Sequence, residues 1–235
     1  MKKALTDDAF FDELTHLFLT EGIKSLTVGE MAARLRCSRR RLYDIAQTKE
    51  EIFCATVDRF FRSVLDKGEM AVRDEKDLTV ALAAYLDVGV QASGRIGVPF
   101  LKDLEDSEAG RALFDGYQQA RTVRLSQLID EGVHQGVFVA CHGRMVSEMI
   151  LGAALRLRRP AFLAQAGLSL EEAFQELYRI LLGGLLADAS ARKSVQAKAP
   201  AGAAIAGKAQ PARAAEPPDA GDDVSRLLIA AWNRS

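Results

Sequence analysis

Arginine is concentrated in one short stretch of this 235-residue chain, which contains no acidic residue between Glu30 and Asp44. The five arginines within eight positions are Arg34, Arg36, Arg39, Arg40 and Arg41. Guanidinium groups neutralise nucleic-acid phosphates whatever the base sequence, and they also pair bidentately with O6 and N7 of guanine. A lysine ammonium cannot form the same two-pronged contact. The stretch therefore has the chemistry to bind DNA, provided that its arginines face solvent together.

A helical projection sorts the side chains of this stretch into two sides. The apolar side carries Leu42, Ile45 and Ala46. The polar side carries Arg39, Arg40, Tyr43 and Asp44, with Arg41 at the border. An alternative interpretation is that the arginines merely solvate a helix face, with Arg40 paired to Asp44 at the i, i+4 spacing.

Local capping signals predict three short helices followed by a long one. The first helix starts at Thr6 and ends at Gly22, which would supply a left-handed stop. Its apolar face carries Phe10, Leu14, Leu17 and Phe18. Capping boxes begin the second and fourth helices at Thr27 with Glu30 and at Thr48 with Glu51. Ser38 caps the third helix after a two-residue turn. The second and third helices thus have the dimensions of a helix-turn-helix unit.

Residues 6–54 resemble the N-terminal helix-turn-helix domain of the TetR family of transcriptional repressors. The matching positions after the capped second helix are, in order, Ser38, Leu42, Tyr43, Thr48 and Lys49. The resemblance implies that Thr27, Tyr43 and Lys49 contact DNA phosphates, and that the helix begun by Ser38 directs three arginines at bases. These arginines are Arg39, Arg40 and Arg41. Thr27 also serves as a helix cap, and the ring of Tyr43 could cover the edge of the small core.

The sequence departs from the family pattern at three positions. Ile45 and Ala46 stand where Tyr or His and then Phe are usual, and Arg40 stands where Gly is frequent. With one buried aromatic missing between the third and fourth helices, Phe53 is expected to fill the space.

The sequence pattern of the rest of the chain predicts an all-α fold, with a larger helical domain followed by a disordered tail. No strand-like alternation is present. The helical periodicity predicts that the fourth helix ends at residue 67 and that further helices span 78–93, 99–105, 108–135, 142–158 and 170–188. From residue 189 to 223, 20 of 35 residues are Ala, Pro or Gly, a composition that cannot bury enough surface to fold. The predicted parts are a DNA-binding domain (1–48), a regulatory and dimerisation domain (49–188), a disordered linker (189–223) and a short amphipathic segment (224–235).

The TetR resemblance also implies a homodimer and a small-molecule effector. In that family the last two long helices of each subunit form a four-helix bundle, and closely approaching helices favour small residues there. Such residues are Gly152, Ala153, Ala154, Gly183 and Gly184, although they could equally serve packing within a subunit. The polar residues that could point into an effector pocket are Tyr85, Asp87, Gln91, Gln118 and His134. The segment 128–138 also resembles the end of a long regulatory-domain helix.

Other function classes find little support in the sequence. Catalytic motifs are missing: there is no Ser-His-Asp set, P-loop or H-E-x-x-H, and only three histidines are present. Adjacent Cys141 and His142 fall short of the three or four ligands that zinc requires. No apolar stretch approaches membrane-spanning length, and the N-terminus lacks a secretory signal. We therefore expect a cytoplasmic, nucleoid-associated protein without catalytic activity, metal or cofactor.

The sequence predicts a protein that binds DNA through its third helix, and the TetR resemblance implies a repressor that binds a palindromic operator as a dimer and is released by a small-molecule effector. The alternative is a helical protein-interaction adaptor with a degenerate helix-turn-helix. In that case the C-terminal segment around Trp232 would recruit a partner.

Overall fold

The computed structural model describes residues 6–185, in which all the regular elements are helices. The ten helices of this region are α1 (Asp7–Glu21), α2 (Val28–Arg34), α3 (Arg39–Tyr43), α4 (Lys49–Val72), α5 (Leu78–Ser93), α6 (Val98–Asp106), α7 (Glu108–His134), α8 (Gly143–Leu157), α9 (Pro160–Ala166) and α10 (Leu170–Leu185). The predicted all-α fold class is confirmed. The predicted linker (189–223) and amphipathic segment (224–235) lie outside the described residues, as do 1–5 and 186–188.

The N-terminal helices begin where the capping signals place them. The Thr27 hydroxyl accepts from the Glu30 amide, and the Glu30 carboxylate accepts in return from the Thr27 amide, at 3.2 and 2.7 Å. The same reciprocal pair joins Thr48 and Glu51 at the start of α4. Each box satisfies two backbone donors that a helix start leaves free.

Several helix bounds differ from those expected. Helix α3 ends at Tyr43, so Ile45 and Ala46 follow the helix instead of forming its apolar side, although both remain partly buried against the core. Helix α4 continues to Val72 instead of ending at residue 67. Helix α9 was not expected; Pro160 opens it, at a position where a missing N–H costs nothing.

One hydrophobic core runs from α1 to α10. Within it the Phe53 ring lies 5.4 Å from the Phe18 ring and 5.7 Å from the Phe100 ring, and thereby packs α4 between α1 and α6. The loop after α1 is tied to α6 by the buried Asp103 carboxylate, which accepts from the amides of Ile23 at 2.5 Å and Lys24 at 3.0 Å. The position of α6 is thus linked directly to the loop that leads into α2.

Candidate nucleic-acid interface and ligand cavity

The structure divides the five clustered arginines into two groups. Arg34 forms an ion pair with Glu21, and Arg36 forms the turn between α2 and α3 with a positive φ of 51°. Arg41 is half-buried. Its guanidinium lies 4.2 Å from the Phe10 ring centre and 2.9 Å from the Asp7 carboxylate. Arg34 and Arg41 are therefore held by contacts within the N-terminal helices, and Arg36 belongs to the turn.

Arg39 and Arg40 are exposed on α3, together with Ser38 and Tyr43, whereas Leu42 is fully buried on the opposite side. Ser38 caps the helix by accepting from the Arg41 amide at 3.2 Å. Among the described residues no carboxylate pairs with Arg39 or Arg40, so the alternative Arg40–Asp44 pair is not formed. The outward side of α3 is therefore cationic, with a half-exposed aromatic ring beside the charges.

The Arg39 side chain crosses the first turn of α2. A Cβ atom built at Gly29 would lie 2.9 Å from Nη2 of Arg39, so the glycine leaves room for the guanidinium there. Hydrogen bonds from Thr27 lower the pKa of the Glu30 carboxyl below its usual value of 4.5. This keeps the carboxylate charged and the cap of α2 closed at neutral pH.

Lys49 occupies a position that the sequence interpretation did not anticipate. Its ammonium donates to the backbone carbonyls of Ile23 at 3.3 Å and Leu26 at 3.1 Å. The side chain therefore closes the α1–α2 loop onto the start of α4. A phosphate contact by Lys49 would require rearrangement of these two hydrogen bonds.

A second surface runs along α8 and α10, which touch each other. The exposed apolar residues and glycines that define this α8/α10 face are Met145, Met149, Gly152, Ile180 and Gly184. Met149 and Ile180 are 70% and 60% exposed, and the Cβ positions of Gly152 and Gly184 border open space within the described chain. Ala154, in contrast, is fully buried inside the subunit, which excludes it from a surface contact.

The polar residues expected at an effector pocket separate into buried and exposed groups. Tyr85 and Gln118 are buried, 3% and 4% exposed. Gln91, Asp87 and His134 are exposed, and the Gln91 amide donates to the Asp87 carboxylate at 2.5 Å. The expectation that Asp87, Gln91 and His134 point inward is corrected, because each lies on the solvent side of its helix.

A narrow cavity lies between α4, α5, α7 and α10, and it is lined by Gln118 among other residues. Its most unusual lining residue is Arg121, which the sequence interpretation did not single out and which is only 4% exposed. The guanidinium lies 5.7, 5.7 and 5.9 Å from the ring centres of Tyr85, Tyr117 and Tyr178. An arginine on a helix is ordinarily a surface residue, so its residue type gives no reason to place Arg121 in the core.

Known proteins resemble this chain in fold. A TetR transcription regulator from Haloarcula marismortui covers 75% of this chain and 96% of its own length, with 18% identity and a TM-score of 0.60. The TetR-family regulator PfmR from Thermus thermophilus covers 74% and 97%, with 21% identity and a TM-score of 0.53. A transcriptional regulator from Saccharomonospora viridis, solved in complex with choline, covers 76% and 96%, with 13% identity and a TM-score of 0.61. No protein-family model and no curated protein sequence matches the chain.

The chain thus has the fold of TetR-family transcriptional regulators, and the resemblance inferred from the α2–α4 motif is confirmed at the level of fold. Because these regulators match over nearly their whole lengths, the likeness includes the larger helical part as well as the N-terminal helices. No helix in residues 6–185 is both long enough and apolar enough to cross a membrane.

Proposed function

We propose that this protein is a transcriptional regulator, a repressor in its simplest mode, that binds a palindromic DNA operator as a homodimer and releases it on binding a small molecule. It would act in the cytoplasm, on the nucleoid. The observation that carries the proposal is the outward side of α3, where Arg39, Arg40 and Tyr43 stand exposed and opposite the buried Leu42. A helix of this kind fits the major groove.

The contacts differ in their assigned roles. Arg40, which forms no ion pair with the described residues, reads a base edge, and Tyr43 contacts a phosphate. Arg39 and Thr27 lie beside the first turn of α2, where the backbone flanking the groove would pass. Ser38 holds the start of α3, and Lys49 fixes the loop before α2. Arg41 contributes positive charge from its place against Phe10.

Dimerisation is assigned to the α8/α10 face. Two exposed methionines, an exposed isoleucine and two unshielded glycines form an apolar surface that a symmetric copy of itself would cover. A dimer places two copies of α3 on successive turns of one side of the duplex, as a palindromic site requires.

Effector binding is assigned to the cavity beside Gln118 and Arg121. The choline complex of the Saccharomonospora viridis regulator supports the idea that a protein of this fold can hold a small ligand. A ligand that favoured a different separation of the two α3 helices would weaken operator binding by its differential affinity for the two arrangements.

The test is a titration of the protein against its own upstream DNA and against random DNA, at two salt concentrations. Selective binding that weakens with salt is expected. Arg40→Ala should remove about 1–3 kcal/mol of discrimination between the two DNAs. An equal loss on both DNAs would make Arg40 a phosphate contact. The absence of any DNA binding would overturn the proposal and favour the protein-interaction adaptor.

A further inference from the structure

Arg121 is a buried cation whose hydrogen bonding is incomplete. Its Nη1 donates to the Tyr178 hydroxyl at 3.1 Å, which joins α7 to α10. Its Nη2 is buried and has no hydrogen-bond partner among the described residues. Buried polar groups nearly always have a partner, because an unsatisfied one has lost its water without compensation.

The charge of Arg121 is also uncompensated. No carboxylate of residues 6–185 forms an ion pair with it. Tyr85 and Tyr117 beside it do not supply a negative charge, because burial raises the pKa of Tyr85 to about 12 and raises the pKa of Tyr117 as well. Both are therefore neutral phenols at neutral pH. A buried, fully charged guanidinium ordinarily has an anionic partner.

The space beside the guanidinium is small and mostly apolar. A Cβ atom built at Gly89 of α5 would lie 2.6 Å from Nη2 of Arg121, so glycine is what allows the group to lie against that helix. The adjoining cavity has a free volume of about 20 Å³, which accommodates a group little larger than one water molecule. Its lining includes Phe61, Phe174 and Leu170, an apolar wall around one charged group.

We propose that this cavity is the head-group site of a monocarboxylate effector, with Arg121 as its counter-charge. The head group accepts from Nη2, and the apolar remainder of the ligand displaces side chains of the aromatic wall toward α10, because the free space beside Nη2 takes little more than one water-sized group. A single guanidinium balances one carboxylate charge and pairs with it bidentately, whereas a phosphate dianion would stay half-compensated in so small a space. A ligand cation is disfavoured, because Arg121 already occupies the faces of the three tyrosine rings.

The site suggests how binding would reach the dimer, a step that rests on the proposed function. A bidentate carboxylate competes with the Tyr178 hydroxyl for the guanidinium, and Tyr178 belongs to α10. The same helix carries Ile180 on the α8/α10 face. Loosening the bond between Arg121 and Tyr178 therefore changes the support of a helix that the proposal places at the dimer contact.

The experiment measures ligand binding to the full chain without DNA, by calorimetry and by the shift of the unfolding temperature. The probes are butyrate and phenylacetate, with phenylacetamide as the neutral partner of phenylacetate and tetramethylammonium as the cation. At least one carboxylate should bind, and phenylacetate should bind at least tenfold more tightly than phenylacetamide. Failure of both carboxylates at millimolar concentration, or equal binding of acid and amide, would overturn the proposal. So would a crystal structure with only a water on Nη2 in the presence of both acids.

Three variants locate the binding. Arg121→Met fills the space with a neutral chain and should abolish the preference for the acid, whereas Arg62→Met, at an exposed arginine of α4, should leave it unchanged. Tyr178→Phe keeps the ring and removes the competing hydroxyl, so it should tighten carboxylate binding. This variant keeps the test decisive if Arg121→Met fails to fold, because unchanged or weaker binding would contradict the proposed competition.

The two proposals fail in distinguishable ways. Carboxylate binding without any DNA binding leaves the anion site standing and removes the regulator function. Selective operator binding by a protein that binds neither carboxylate supports the regulator function and removes the anion site.

Discussion

At the scale of single residues, the arginine cluster illustrates how similar side chains acquire different roles. Arg40 projects outward from α3, whereas Arg41, the next residue, lies over Phe10 and beside Asp7. The helical period explains the difference, because neighbouring positions are rotated by about 100°. The sequence predicts the charge of the stretch, and the fold decides which charges remain available to a ligand.

Arg41→Met tests this division of roles. The methionine keeps an apolar contact with Phe10 and removes the charge, so we expect a stability loss of about 1 kcal/mol or less, from one cation–π contact and one surface ion pair. Affinity for operator and random DNA should fall equally, since Arg41 is not assigned to a base. Denaturant unfolding and paired DNA titrations measure the two effects. A selective loss of operator affinity would instead assign Arg41 to a base contact.

A second prediction at this scale concerns Glu30 and pH. The pKa of its carboxyl is lowered in the folded chain, mainly by the hydrogen bond from the Thr27 amide. Its contribution to stability is therefore present above the usual pKa of 4.5 and is lost as the pH falls through the lower folded-state value. Glu30→Gln retains a capping acceptor without this titration. Unfolding temperatures measured from pH 7 down to pH 3 should fall less steeply in the variant; parallel curves would contradict the assignment.

At the scale of elements, the junction between α1 and α6 connects the N-terminal helices to the remainder of the chain. Gly22 ends α1 with a φ of +72°, and a Cβ atom there would lie 2.3 Å from the Asp103 carboxylate. Only glycine lets the chain turn this way while Asp103 reaches the amides that follow. In the loop before α6, the Gly97 amide donates a hydrogen bond to the Leu19 carbonyl of α1 at 2.7 Å.

Asp103→Ala should therefore destabilise the fold by about 2–4 kcal/mol, because it leaves two backbone amides without their acceptor. Asp103→Asn is the matched control, since its amide oxygen can still accept while the charge is removed, and it should cost less. Chemical denaturation compares the variants, and hydrogen exchange at Ile23 and Lys24 locates the effect. Equal stability of the alanine variant and the native chain would show that the junction is not held by this carboxylate.

Comparison of sequence and structure separates local from tertiary information. The starts of α2, α3 and α4 were predicted correctly because Thr27, Ser38 and Thr48 act on backbone groups within three residues. Periodicity did not reveal that α3 would stop at Tyr43, since packing of the following residues fixes its end. It also could not show which polar residues face inward: Gln118 does, but Gln91 and His134 do not.

The environment of Arg121 lay beyond prediction for a related reason. Its tyrosine neighbours come from α5, α7 and α10, and only the tertiary fold brings these helices together. One local signal was present, a tyrosine four residues before an arginine in Tyr117 and Arg121, but an i, i+4 pair can also lie on an exposed helix face. Gly89 lets the guanidinium lie close to α5, but nothing in the sequence distinguishes it from other glycines within helices.

At the scale of the whole molecule, the proposed function requires two copies, because one α3 reads only one half of a palindromic site. The α8/α10 face is the proposed means of association. The small residues near it do not all contribute: Ala154 packs inside the subunit, whereas Gly152 and Gly184 are exposed. The larger apolar residues on the face, Met149 and Ile180, therefore supply most of the contact area that a partner would bury.

Met149→Arg and Ile180→Arg should each dissociate the dimer, because the two-fold axis brings every substitution into the contact twice and buries an unpaired charge each time, at a cost of about 3 kcal/mol or more. Met70→Arg is the matched control, since Met70 is 66% exposed and belongs to α4, which is not part of this face. Sedimentation analysis should show the chain mass of 25.6 kDa for the two face variants and twice that mass for the control and the native chain. The face variants should also lose preference for a full palindrome over one half-site. A face variant that remained dimeric and retained this preference would place the subunit contact elsewhere on the molecule.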